Sequence, residues 1–143
     1  MHIEVTGRSD PEARTHVLSG GLGGLGSFWL PQMNALRAAY RVVVYDQRGT
    51  GRSADSLPDG YSMQDMADEL IALLDRHGIE HFDVIGHALG GMIAMPPALH
   101  HPLRVARLVL VYGCLPLDSH TRICFRLLLD LLPHTGGGAH SLP

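Results

Sequence analysis

Two glycine-framed segments hold the residue types that could do chemistry. The first is Gly86-His87-Ala88-Leu89-Gly90-Gly91, set between a strand-like apolar run and a helix-like one. In a G-x-S-x-G turn a strand reverses sharply into a helix and holds its middle side chain, a serine nucleophile, proud of the sheet. That middle residue is strained, so the positions two before and two after it require glycine. Gly86 and Gly90 meet this demand. The middle residue, however, is Ala88, and a methyl group cannot attack a carbonyl. Glycines alone would equally suit an ordinary tight β–α turn.

The second segment, Gly21-Leu22-Gly23-Gly24-Leu25-Gly26, satisfies G-x-G-x-x-G after a strand-like run. Asp46 follows roughly 20 residues on, where a dinucleotide site places its ribose-binding acid. Such glycines would let backbone N–H groups approach a pyrophosphate. Against this stands Pro31, five residues past Gly26, where it would break the helix that a dinucleotide motif opens. The dinucleotide reading is therefore the weaker one, and no cofactor is expected. The ten histidines invite a metal reading, which their spacing does not support. Gly78 separates His77 from His81 at a helix end. His100 and His101 are adjacent and would point about 100° apart on a helix. No metal site is expected.

The elements that must position these residues alternate in type. Thr15 to Leu18 is a short strand, and a helix runs from near Pro31, tolerated in a first turn, to about Tyr40. Arg41 to Tyr45 is β-branched and reads as a buried parallel strand. After a loop over Asp46 to Asp59, Ser62 with Asp65 three residues later has capping-box spacing. Met63, Met66, Ala67, Leu70, Leu73 and Leu74 share one helical face, and Gly78 supplies the stop. His81 to Ile85 is the next strand, Leu89 opens the next helix, and Arg107 to Tyr112 is another strand. Met95-Pro96-Pro97 is unexpected inside a helix, where a proline costs about 3 kcal/mol. Thr121 to Leu132 reads as a last amphipathic helix before the tail Thr135 to Pro143. The alternation implies right-handed βαβ units, a mostly parallel sheet and helices on both faces, an α/β class in one domain.

Composition narrows the function classes. The chain has 143 residues, 45% of them hydrophobic and 17% charged, with a net charge of −3. That is a globular chain with no basic field to gather nucleic acid or anionic lipid. No apolar run is long enough for a membrane span, and Met1-His2-Ile3-Glu4 does not open a secretory signal. The two cysteines, Cys114 and Cys124, have no metal-ligand spacing and read as reduced thiols of a cytoplasmic protein.

The Ser19-Gly20-Gly21 turn, the loop Tyr45-Asp46-Gln47-Arg48-Gly49-Thr50-Gly51-Arg52-Ser53 and the Gly86–Gly91 turn lie in the order and spacing of α/β-hydrolases. Gly21-Leu22-Gly23-Gly24, Phe28-Trp29-Leu30-Pro31-Gln32, Tyr45 to Gly51 and Gly86-His87-Ala88-Leu89-Gly90 resemble, more closely, the RutD family of pyrimidine-degradation hydrolases. His120-Thr121-Arg122 with Cys124-Phe125 is similar to the start of that family's cap, so residues from about 113 on are expected to begin a cap region and tail. The resemblance covers about Thr15 to about Thr135 and includes an elbow without serine. It implies hydrolysis of carbamate or a related small carbonyl compound in uracil breakdown. It also implies an oxyanion hole from the backbone N–H groups of Leu22 and Leu89. His87 is a substrate-pocket candidate, with simple packing an equal reading. Asp46 and Arg48 are expected to brace the loop rather than react. Because an α/β-hydrolase draws its acid and base from the carboxy-terminal half, the sequence is expected to be a fold truncated before its last strands. A non-catalytic remnant that binds a ligand or partner is the competing reading. An exposed edge at Arg107 to Tyr112 is expected to favour self-association.

Overall fold

The structure, a computed structural model, describes residues 1–112 together with 122, 123, 126 and 127. Contacts within the chain separate Met1–Gly113 from Cys114–Pro143, and the account below concerns the first unit. The expected helix from Thr121 to Leu132, the cysteines and the tail fall largely or wholly outside the described residues. The described four among them are helical.

The elements run β1 (Ile3–Gly7), β2 (Thr15–Ser19), a 3-10 turn (Gly26–Trp29), α1 (Leu30–Ala39), β3 (Arg41–Tyr45), α2 (Met63–Arg76), β4 (Phe82–His87), α3 (Leu89–His100) and β5 (Val105–Val111). They form one sheet in the order β1-β3-β2-β4-β5. β3, β2, β4 and β5 are mutually parallel, and β1 pairs antiparallel with β3. The run from Val42 to Tyr45 is buried on both faces, as its unbroken β-branched sequence requires of a central strand.

Two cores follow from the alternation of side chains along these strands. On one face Val17, Val43, Tyr45 and Val84 meet Leu70, Leu73 and Leu74 of α2 and Ile93 and Ala94 of α3. On the other, Leu18, Val42 and Val44 meet Trp29 and Met33, with Leu36 and Tyr40 at the margin. Each fully buried leucine contributes about 1.5–3 kcal/mol by leaving water, so the α2 stripe anchors its helix. The α2 amino terminus carries the capping box: Ser62 Oγ accepts from Asp65 N at 3.2 Å, and Asp65 Oδ2 accepts from Ser62 N at 2.8 Å. Met63 and Met66 only pack against the core margin.

Several boundaries differ from those expected. β4 begins at Phe82 and continues through His87, and β5 spans Val105–Val111 rather than Arg107 to Tyr112. β1 has no counterpart among the expected strands, because Ile3 and Val5 are only partly covered and give a weak alternation. α3 runs unbroken through Pro96 and Pro97. Its apolar packing, with Ile93, Ala94 and Pro97 buried, outweighs the lost N–H groups.

Candidate active site

The carboxyl ends of the parallel strands bring the glycine-framed segments together, which is where open α/β sheets form ligand crevices. At the end of β4, Ala88 has φ 49° and ψ −115°, a left-handed conformation that L residues rarely adopt. A Cβ at Gly86 would lie 2.5 Å from Gly91 Cα, and one at Gly90 would run into the carbonyl oxygen of Ser19. The glycine frame is therefore steric necessity. Ala88 N–H donates to Val111 O at 2.9 Å, and Ala88 O accepts from Gly91 N at 3.0 Å, so the turn is fixed to both β5 and α3.

The loop after β2 lies directly beside this turn. A Cβ at Gly21 would sit 2.9 Å from His87 Nδ1 and 3.5 Å from Ala88 Cβ. Leu22 follows in a turn closed by Gly24 N–H donating to Gly21 O at 2.9 Å, and its side chain is exposed. Leu89 is the first residue of α3, where backbone N–H groups have no partner inside the helix. Neither the Leu22 nor the Leu89 N–H meets an acceptor among the described residues.

The loop after β3 holds its neighbour in place. Gln47 is buried; its N–H donates to Gly24 O at 3.0 Å and its Nε2 to Gly20 O at 2.9 Å. The buried carboxylate of Asp46 accepts from Gly26 N at 2.8 Å and from Arg52 N at 3.0 Å. Burial alone would raise the Asp46 carboxyl, but those two N–H groups and the Arg52 guanidinium outweigh it and hold it below the usual range. Asp46 thus clasps the glycine loop. Arg48 instead ties its own loop to α2, its Nε donating to Glu69 Oε1 at 2.6 Å. Sequence reasoning gave no separate role to Gln47, whose signal is a polar side chain directly after a buried strand. The Ser19–Tyr45 hydroxyl contact of 2.7 Å was also missed. Burial pushes that tyrosine up to about 12.

His87 ends β4 half-buried, its Nδ1 buried with no hydrogen-bond partner among the described residues. Its ring lies 4.7 Å from that of Phe28 and 6.2 Å from that of Tyr112, both of which are exposed. The turn thus sets the Ala88 methyl beside the Gly21 backbone and the ringed corner of His87, Phe28 and Tyr112. No group of three or more metal-ligating side chains occurs among the described residues.

A sequence profile described as alpha/beta hydrolase fold matches residues 17–139. The chain belongs to the α/β-hydrolase fold family. A solved hydrolase from Pseudomonas aeruginosa superposes with a TM-score of 0.76 at 30% identity, over 93% of this chain and 51% of that one. RutD of Yersinia enterocolitica, whose name proposes carbamate hydrolysis, is 52% identical over 98% of this chain and 50% of its own length. RutD of Serratia proteamaculans, named likewise, is 54% identical over 98% of this chain and 52% of its own. This α/β hydrolase chain spans about half the length of the curated relatives it matches. Among its described residues no helix is long and apolar enough to cross a membrane.

Proposed function

We propose that this protein is a hydrolase of carbamate or a related small carbonyl compound. We place it in the cytoplasm, in uracil breakdown. The observation that carries the reading is the strained glycine-framed turn at Ala88 set against the Gly21–Leu22 loop, in a chain about half identical to RutD proteins. The N–H groups of Leu22 and Leu89 act as the oxyanion donors, and His87 lines the substrate corner. With Ala88 in the elbow no acyl-enzyme forms there, so water attacks directly. Its oxygen bonds to the carbamate carbon, the C–N bond breaks, and the water's proton leaves with the amine as ammonia, giving bicarbonate. No cofactor takes part.

The missing nucleophile favours a second reading, a non-catalytic module that binds a ligand or partner at the same corner. Ammonia release from ammonium carbamate, followed above the uncatalysed rate, separates the two. Rate enhancement together with shifts of the Leu22 and Leu89 amide resonances supports the hydrolase. Shifts without enhancement support the binding module, and neither effect refutes both.

A further inference from the structure

At the opposite end of the sheet the strand register aligns Thr6 of β1, Val42 of β3, His16 of β2, Asp83 of β4 and Arg107 of β5 in one row. Residues paired in this way share a sheet face, here the face that Met33 and Leu36 of α1 cover. Apart from Val42 the row is polar where a core row would be apolar. Thr6 Oγ1, both ring nitrogens of His16 and Asp83 Oδ2 are buried without a hydrogen-bond partner among the described residues. Polar atoms so placed are few in folded proteins. His16 Nε2 stands 3.8 Å from Asp83 Oδ2, too far for a hydrogen bond and close enough for an ion pair. Asp83 already binds Arg14 through its other oxygen at 3.2 Å. The Tyr40 ring closes over His16 with centroids 4.0 Å apart.

We propose that this row is a proton-sensitive joint: with His16 neutral, β2 and β4 stay closed at this end, and a proton on the imidazole loosens it. The charged groups facing His16 are Asp83 from β4, Arg107 from β5 and Arg14 preceding β2, with Tyr40 from the end of α1 as its other titratable neighbour. One carboxylate, already shared with Arg14, must offset burial and two guanidinium groups. Burial keeps the imidazole below its ordinary value, against Asp83 and assisted by Arg14 and Arg107. Once unfolded, the same histidine takes up a proton near pH 6.5. Below that value, down to its folded pKa, the unfolded chain binds more protons, so stability falls as pH falls. The joint is independent of the chemistry proposed for the elbow.

The test compares the 143-residue chain with His16→Gln and Asp83→Asn. Urea unfolding between pH 5.5 and 8 is expected to show the wild type taking up more protons on unfolding than His16→Gln at the acid end. By NMR the His16 ring is expected to titrate below 6.5 in the wild type and lower still in Asp83→Asn. Amide exchange at Val17 and Val84, corrected for its intrinsic pH dependence, is expected to rise on acidification. A His16 midpoint at or above 6.5, equal proton uptake in the two chains, or unchanged exchange overturns the proposal. If His16→Gln does not fold, the wild-type titration and exchange decide alone.

Discussion

Ala88 keeps the conformation of a nucleophile without the nucleophile. A non-glycine residue held at φ 49° costs about 1–3 kcal/mol. Ala88→Gly should therefore stabilise the chain, by about 1 kcal/mol after the greater freedom of glycine in the unfolded state is subtracted. Urea unfolding checks this, and a loss of stability would mean that the methyl packs more than it strains. Gly90→Ala should do the reverse, by about 3 kcal/mol or more, because its Cβ meets backbone that cannot yield. Fluorophosphonate probes should leave the peptide containing Ala88 unlabelled in mass spectra, whereas stoichiometric adducts there would contradict the elbow chemistry. Asp46→Asn should cost about 2 kcal/mol by weakening two charge-assisted bonds to the glycine loop. Since the folded Asp46 carboxyl is held low, its contribution is complete above about pH 4. It fades as pH falls through the folded value, where unfolding takes up the proton. The acid limb of a stability–pH curve should accordingly flatten in the variant. The strain at Ala88 was legible because glycines at fixed offsets report sterics directly. Gln47 was not, since its partners are backbone carbonyls brought near only by folding. The His16–Asp83 row depends on strand register, which no local pattern in either segment encodes.

Helices and strands differ in how clearly their sequences announce them. α2 is spelled out from cap to stop, because every signal is local: Ser62 and Asp65 at its start, a leucine stripe along it, Gly78 at φ 64° beyond it. β1 is obscure because its cover comes from elsewhere, with His2 O accepting from Asp46 N and His2 N donating to Ser53 Oγ. α3 contradicts its own propensity, since two prolines stand inside it. Pro96→Ala should restore a donor and raise stability by about 1–2 kcal/mol, measurable as a higher melting temperature. β5 pairs on one side only among the described residues, and Val109, Leu110 and Val111 are 48%, 43% and 37% exposed. The edge-to-edge association proposed from its sequence predicts concentration-dependent mass in light scattering of the 143-residue chain, reduced by Val109→Lys. A monomer at all concentrations would dismiss it.

Across the whole molecule, the α/β layering, the elbow and the loop beside it followed from motif order, while boundaries moved by a residue or two wherever tertiary cover overrode local pattern. The strand order has a consequence for how the chain is made. β1 and β2 are not neighbours; β3 lies between them and pairs with both. No described strand pairing therefore exists until β3 has left the ribosome. From that moment β4 joins the free edge of β2, and β5 then joins the edge that β4 has just created. Assembly can keep step with translation, so that the nascent chain always exposes one growing margin and never has to open a finished one.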